Sequence, residues 1–198
     1  MCLPNLAHIF KIILANLLAY AEQLFVYSVP WFLCMDIINT DANKLQCEEK
    51  YNWQLYHPFY HTPCETSPHG EILDRLLEAV NPTMLYRIKA NLNPIAPEVF
   101  PHGFHIDMNS GELASMITTG IYYLNTNNGY TILEDGTKIE NIANRYVTFP
   151  ANVKHTGTTC TDAPYRLVLN LNYIKVSTEE GNIDSQFELF SRDGFENK

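Results

Sequence analysis

Two histidines and one aspartate have the types and spacing of metal ligands. His105 and Asp107 are two positions apart in the segment FHID, so on a β-strand both side chains point to the same face of the sheet. His102 has the opposite parity, and we expect its side chain to point away. A third ligand, His155, follows much later in the segment VKHT. It reaches the other two only if the strands that carry them are neighbours.

Two histidines and one carboxylate occupy three positions of an octahedral metal ion and leave three positions open. Non-haem Fe(II) oxygenases use such open positions to hold a co-substrate and O2, whereas a structural zinc site is closed by four ligands. We therefore interpret His105, Asp107 and His155 as catalytic metal ligands for Fe(II). The alternative is that they are separate structural or surface residues, because an HxD pair alone is a weak motif.

An alternating segment, RLVLNLNY, begins eleven residues after His155 at Arg166. The residues that share one face of this predicted strand are Arg166, Val168, Asn170 and Asn172. If the leucines of the other face pack beneath helices, Arg166 points into the protein interior, where a guanidinium is costly without an anionic partner. A ligand carboxylate is the natural partner. The alternative is a surface or salt-bridged arginine at the start of a strand.

The elements that would position these residues change in character along the chain. Short runs rich in Val, Ile, Tyr and Thr, separated by turn residues, indicate strands, which we predict at 84–92, 102–109, 115–125, 129–133, 145–150, 153–159 and 164–175. Apolar residues at helical spacing predict a helix over 69–80, with Asn81 and Pro82 as its stop. A second helix is predicted within 9–26, and irregular structure with a strand or two over 28–68.

These elements predict a mainly β protein with helical support (α+β). The expected architecture is an antiparallel double-stranded β-helix, the cupin-like jelly roll, with helices packed on one sheet. A chain of 198 residues suits a single domain. In it, residues 1–83 would form a helical and irregular support region, 84–176 the jelly-roll core and 177–198 a C-terminal tail.

Composition limits the classes of partner. A net charge of -9 opposes extensive neutralisation of phosphates, so there is no strong nucleic-acid signal, and a small molecule or a peptide is the expected substrate. Five cysteines without a CxxC pair favour reduced thiols and a cytoplasmic protein. The apolar stretch 9–26 also resembles a secretory signal, but the polar residues within it argue against a membrane span. Nothing in the sequence indicates an oligomeric state.

The stretch 84–174 resembles the 2-oxoglutarate/Fe(II) dioxygenase superfamily, in its prolyl-4-hydroxylase-like branch. The matching residues are His105 and Asp107 with His155, then Arg166, and the strand IYYLN at 121–125, which is similar to the YYLN strand of the hypoxia-sensing prolyl hydroxylases. Further segments, among them RIKANL and FPHGFH, resemble small uncharacterised oxygenases of this superfamily found in phage genomes.

This resemblance implies an enzyme with Fe(II) as cofactor and with 2-oxoglutarate and O2 as co-substrates. It would hydroxylate an unactivated C–H bond and release succinate and CO2. The resemblance also implies that Arg166 and Tyr123 bind the distal carboxylate of 2-oxoglutarate; for Tyr123 the alternative is a core aromatic residue. The base-repair members typically carry a second arginine a few residues beyond the oxoglutarate arginine, whereas the positions that follow Arg166 offer only Asn170, Asn172 and Lys175, which counts against nucleic-acid repair.

Parity adds further candidates. Lys89 and Asn91 share a face with Arg87, and Asn170 shares one with Arg166, so we expect them to line the pocket and name Asn91 and Asn170 as candidate cofactor-binding residues. A solvated edge strand is the alternative for 84–92. The leading expectation for the substrate is a peptidyl residue such as proline. The alternatives are a free amino acid or small metabolite, a non-catalytic metal-binding cupin, and a structural jelly roll.

Overall fold

Two antiparallel sheets, one large and one small, form a jelly roll. The structure is a computed structural model that describes residues 8–11, 22, 23, 25–35, 37, 49–62, 65–108, 114 and 116–176. Its strands are β1 (His8–Lys11), β2 (Phe32–Cys34), β3 (Gln54–His61), β4 (Glu65–Thr66), β5 (Met84–Pro94), β6 (Thr118–Tyr123), β7 (Tyr130–Leu133), β8 (Lys138–Glu140), β9 (Arg145–Pro150), β10 (His155–Gly157) and β11 (Tyr165–Ile174). The predicted fold class is confirmed.

Strand order places β11 at the middle of the larger sheet. Over the described residues that sheet runs β1-β9-β6-β11-β5-β3-β2, with β4 beside β3, and the smaller sheet runs β10-β7-β8. Two isolated pairings, Pro101 with Thr158 and His105 with His155, attach the segment 101–105 to the outer side of β10. An apolar cluster that includes Ile121 and Val168 of the larger sheet and Leu133 of the smaller one joins the two sheets.

The helix α1 (Asp74–Val80) covers the outer face of the larger sheet. A 3-10 turn, Gly70–Leu73, leads into α1, and Asn81 ends it in the left-handed conformation with φ of 47°, the usual geometry of a helix C-cap. Leu76 and Val80 pack in one buried cluster with Leu167, Leu169, Leu171 and Tyr173 of β11. The predicted helix and the predicted apolar face of β11 are both confirmed.

Truncation of a leucine in this cluster should be costly. We expect Leu169→Ala to lower the free energy of unfolding by about 2–5 kcal/mol, because Leu169 is 1% exposed and its removal leaves a cavity under α1. Urea denaturation measures the effect. Leu33→Ala is the control, since Leu33 is 58% exposed and its loss should change stability by less than about 0.5 kcal/mol. Equal effects of the two changes would contradict the assignment of this face to the core.

Several elements differ from the sequence prediction. Residues 8–11, expected at the start of a helix, form an edge strand that pairs with β9. The stretch 28–68, expected to hold a strand or two, contains β2, β3 and β4, and β3 pairs with β5 inside the larger sheet. β8 was not predicted, because only its middle residue is buried and three residues give too short a pattern to recognise. The predicted strand 102–109 is reduced to isolated pairings.

Some predictions fall outside the described residues. The C-terminal tail 177–198 and residues 12–21 of the apolar N-terminal stretch lie outside them, although residues 25–28 are helical. Among the residues that the structure describes, no helix has the length and hydropathy needed to cross a bilayer. Cys34 and Cys160 form no disulfide bond.

Candidate active site

A cavity of about 210 Å³ lies between the two sheets. The larger sheet supplies inward-facing side chains of β5 and β11, and the smaller sheet supplies Thr131, His155 and Gly157. The segment 102–107 completes the wall. Of the predicted site residues, His105, Asp107, His155, Arg166, Asn91 and Asn170 line this cavity, and Tyr123 does not.

The three predicted metal ligands meet at one end of the cavity. One ligand atom from each of His105, Asp107 and His155 lies within 4.8 Å of the others. The two Nε2 atoms are 4.0 and 3.9 Å from the carboxylate oxygens of Asp107. The backbones of the two histidines are hydrogen-bonded to each other in both directions, at 3.0 and 2.9 Å, so pairing of the segment with β10 brings the ligands together.

Both imidazole rings are oriented by their own backbone. Nδ1 of His105 faces the carbonyl of Gly103 at 3.4 Å, and Nδ1 of His155 faces the carbonyl of Val153 at 3.1 Å. A proton on each Nδ1 is donated to a carbonyl, so the lone pair of Nε2 points toward Asp107. Burial, and then the neighbouring His155, lower the pKa of His105 to about 4. The His105 ring is therefore neutral at pH 7, as metal coordination requires.

The carboxylate of Asp107 accepts three hydrogen bonds from side chains. Arg87 Nη2 donates to Oδ1 at 2.8 Å, while Thr119 Oγ1 and Asn172 Nδ2 donate to Oδ2 at 2.7 and 3.0 Å. Burial acts to raise the pKa of Asp107, but His155, Arg87 and the Asn172 hydrogen bond outweigh it and hold that pKa well below its usual value. Asp107 is therefore an oriented anion, available to a metal ion at physiological pH.

Loss of one of these donors should weaken metal binding. We expect Thr119→Val to reduce the affinity for a divalent cation by about 10- to 100-fold, because partners that orient a ligand typically contribute that much. Titration of the protein with Co(II) measures it. Thr118→Val is the matched control, since Thr118 is the preceding residue of β6 and has the opposite parity. Unchanged Co(II) affinity in Thr119→Val would show that Thr119 does not act on the ligand.

At the other end of the cavity lies a buried cation. Arg166 is 3% exposed, and its Nη2 donates a hydrogen bond to Thr131 Oγ1 at 3.1 Å. Nε has no hydrogen-bond partner, and no acidic side chain of the described residues forms an ion pair with this guanidinium. A Cβ at Gly157 would lie 3.0 Å from Nη1, so the glycine leaves the guanidinium room.

Tyr123 lies behind this cation. Its ring is fully buried, with the guanidinium carbon of Arg166 5.8 Å from the ring centroid. Its hydroxyl donates to Thr131 Oγ1 at 2.8 Å. Thr131, which the sequence analysis missed, lines the cavity in its place. Direct contact between Tyr123 and a ligand stays a prediction. Thr131 could have been suggested by strand parity alone, because it alternates with the outward-facing Tyr130 and Ile132.

His102 was expected to point away, and this expectation was wrong. It is 3% exposed, lines the cavity, and has Nε2 3.5 Å from the amide nitrogen of Asn93. Burial, and then the charge of Arg166, lower the pKa of His102 to about 4. Parity failed because the segment forms only isolated bridges, Pro101 with Thr158 and His105 with His155. The backbone between them is not a regular strand.

The polar face of β5 lines the cavity as expected. Arg87, Lys89 and Asn91 all contribute to the wall, as does Asn170 from β11. The alternative of a solvated edge strand is wrong, because β5 lies between β11 and β3 in the larger sheet.

Solved structures with a similar fold are known, although the sequence itself has no match. No known family profile and no curated protein matches the sequence. An oxidoreductase of the 2OG-Fe(II) oxygenase family from Burkholderia pseudomallei superposes with a TM-score of 0.62 at 13% sequence identity, over 86% of each chain. HygX from Streptomyces hygroscopicus, solved with nickel and 2-oxoglutarate bound, gives 0.53 at 10% identity, over 89% of this chain and 85% of HygX.

A viral protein is also similar in structure. The collagen prolyl hydroxylase vCPH from Paramecium Bursaria Chlorella virus-1 gives a TM-score of 0.52 at 11% identity, over 87% of this chain and 91% of vCPH. At these identities the similarity concerns the fold. This chain has the jelly-roll fold of the 2-oxoglutarate/Fe(II) oxygenases, with a His-Asp-His cluster that could hold a metal ion.

Proposed function

We propose that this protein is an Fe(II)- and 2-oxoglutarate-dependent dioxygenase that hydroxylates an unactivated C–H bond and releases succinate and CO2. The observation that carries the proposal is Arg166, a buried guanidinium without an acidic partner in the described part of the chain. It lines the same cavity as three potential metal ligands. A dicarboxylate bound between the metal and Arg166 would neutralise this otherwise costly charge.

The donor set fits Fe(II). Two imidazole nitrogens and one carboxylate are the ligands of the open facial site, and His105, Asp107 and His155 would supply them. When bound, the iron would activate O2 and so provide the oxidising power for the C–H bond. The role of the protein is to hold the ligands in position. Arg87 and Thr119, for example, donate hydrogen bonds to different oxygens of the Asp107 carboxylate.

The far end of the cavity fits a carboxylate. Arg166 offers Nε without a partner and Nη1 beside the open space at Gly157, while Thr131 supplies a hydroxyl group. Charge-assisted hydrogen bonds from a guanidinium are among the strongest available to a carboxylate. Apolar side chains of Ile121 and Val168 also line the cavity and would limit the access of water to the bound co-substrate.

Two substrate classes are compatible with this reaction. A peptidyl residue such as proline is suggested by the YYLN similarity and by the likeness in fold to vCPH, a viral collagen prolyl hydroxylase. A free amino acid or another small metabolite is favoured by the cavity volume of about 210 Å³, which is below the ~300–1,000 Å³ of sites for drug-sized ligands.

Absorption spectroscopy under anaerobic conditions tests the proposal. We expect a weak visible charge-transfer band when Fe(II) and 2-oxoglutarate are both added, and O2-dependent formation of succinate afterwards. A non-catalytic metal-binding cupin would bind the metal ion without forming this band. A structural jelly roll would bind neither, and elemental analysis of the purified protein would then find no stoichiometric iron. Either of these two results would overturn the proposal.

A further inference from the structure

We propose that the primary substrate is a free α-amino acid, with its carboxylate bound by Lys89 and its ammonium group bound by the amide oxygens of Asn170 and Asn91. This inference rests on the proposed function, because it concerns the part of the cavity that remains when a co-substrate lies between the metal and Arg166. It reassigns Asn91 and Asn170 from the co-substrate to the substrate.

The ammonium group of Lys89 has no acceptor among the described residues. Lys89 lines the cavity, and its nearest recorded partner is the ring of Tyr56, whose centroid is 5.8 Å from Nζ. Burial, and then the charge of Arg87, lower the pKa of Lys89, while Asp107 opposes them. A lysine held in a cavity without a hydrogen-bond acceptor is costly. An anionic ligand would remove that cost.

Lys89 lies away from the site of the co-substrate carboxylate. In the register of β5 and β11, Lys89 is opposite Asn170, whereas Arg166 is opposite Asn93. Four residues of β5 separate the two positions, or roughly 13 Å along the strand. Lys89 is the next inward-facing residue of β5 after Arg87, which donates to Asp107, so its position on the strand lies on the side of the metal ligands.

The cationic side chains of the cavity wall differ in their ion-pair partners. Arg87 is already paired with Asp107 at 2.8 Å. Arg166 would be paired with the distal carboxylate of 2-oxoglutarate, and the other carboxylate would be bound at the metal ion. Of the cations that line the described cavity, Lys89 then remains without a counter-ion. The carboxylate of the substrate would supply it.

The neighbouring amides call for a hydrogen-bond donor. The Oδ1 atoms of Asn91 and Asn170 are buried and have no hydrogen-bond partner, and a buried acceptor without a donor is destabilising. Asn170 lies directly opposite Lys89, and side chains at such positions have Cβ atoms about 4.5–5.5 Å apart. An α-amino acid carries its carboxylate and its ammonium group on adjacent atoms, so it can satisfy Lys89 and Asn170 at the same time.

A matched set of ligands tests the substrate class. We would screen the common free amino acids for stimulated succinate release. For each one that responds, we would then compare the free form, the N-acetyl form, the carboxamide and an internal residue of a peptide. Calorimetry with the Mn(II) and 2-oxoglutarate complex measures binding without turnover. We expect the free form to bind and to stimulate, and the carboxamide to bind about 10- to 100-fold more weakly, since it cannot form a charge-assisted bond.

The outcomes separate this inference from the proposed function. Turnover of the peptide, with no free amino acid bound, would overturn the inference and leave the dioxygenase proposal intact. Equal binding of the free acid and its carboxamide would also overturn it. Failure of the protein to bind 2-oxoglutarate at all would instead contradict the proposed function, and with it the inference that rests on it.

A variant of Lys89 gives a second test. We expect Lys89→Gln to bind the free amino acid about 10- to 100-fold more weakly, to lose the preference for the acid over the carboxamide, and to retain the wild-type affinity for 2-oxoglutarate. Lys138→Gln is the control, because Lys138 is exposed on β8 and should retain the preference. A Lys89→Gln protein that still prefers the acid would show that another group binds the carboxylate.

Discussion

Replacing Arg166 by methionine is expected to abolish 2-oxoglutarate binding while leaving the protein without ligand at least as stable as the wild type. The bound carboxylate would lose its buried counter-ion, at a cost of about 3–5 kcal/mol, or roughly two to nearly four orders of magnitude in affinity. Without ligand, the guanidinium has no acidic partner among the described residues. A methionine of similar length would remove this desolvated charge and keep the packing.

Thermal unfolding with and without 2-oxoglutarate measures both effects. At a concentration of 100 times its Kd, the ligand should stabilise the metal-loaded wild type by about 2.7 kcal/mol, and it should leave Arg166→Met unchanged. Arg75→Met is the control, because the side chain of Arg75 is 75% exposed and should keep the full response. If Arg166→Met still responds to 2-oxoglutarate, the guanidinium does not bind the co-substrate. Strong destabilisation without ligand would show that Arg166 is paired within the protein.

Changing Asp107 to asparagine should remove metal binding. The two side chains have the same shape, but the amide is neutral. Its NH2 group is also a donor, and it would face other donors, since Thr119 and Asn172 already donate to the carboxylate of Asp107. We expect the affinity for Co(II) or Fe(II) to fall more than about 100-fold, beyond the effect of losing a residue that only orients a ligand. Succinate formation should be lost with it.

Competition with a chromogenic chelator measures the metal affinity of Asp107→Asn. Asp74→Asn is the matched control, because Asp74 is exposed at the start of α1 and should bind metal as the wild type does. Circular dichroism of Asp107→Asn checks that the fold survives the loss of the ion pair with Arg87. A folded variant with wild-type Co(II) affinity would show that the metal is bound elsewhere.

The alternation in β11 made much of the site predictable. Its leucines pack under α1, and Arg166 and Asn170 line the cavity, because one buried sheet face imposes a period of two on the sequence. In a regular strand such as β11, residue spacing carries direct information about which side chains can meet. His105 and Asp107 also meet as predicted, but their segment forms only isolated bridges, so strand parity is not the reason.

The contacts of Asp107 could not be predicted from the sequence. Parity assigns Arg87, Thr119 and Asn172 to inward faces, but their meeting depends on the register of three strands. Thr119 and Arg87 lie opposite the same residue, Asn172, on the two sides of β11. Register of this kind is set by the packing of the whole sheet, and no local pattern records it.

The misplaced segments have physical reasons of their own. Residues 8–11 were expected to be helical because the sequence around them is apolar. Their conformation is instead set by pairing with β9 at the edge of the sheet. His102 departs from parity because its segment forms only isolated bridges, at Pro101 and at His105, and no regular strand. Tertiary contacts override local preference most easily where a strand is short or lies at an edge.

The three predicted metal ligands should differ in their tolerance of mutation in the residues around them. The imidazole rings of His105 and His155 are oriented by carbonyl groups two residues earlier, and a carbonyl is present whatever side chain stands at those positions. Sequence drift around the histidines therefore leaves their tautomers intact. The carboxylate of Asp107 depends on three particular side chains from three strands. Related proteins that keep the aspartate as a ligand would have to change those three residues together. The aspartate therefore limits sequence change at this site more than the histidines do.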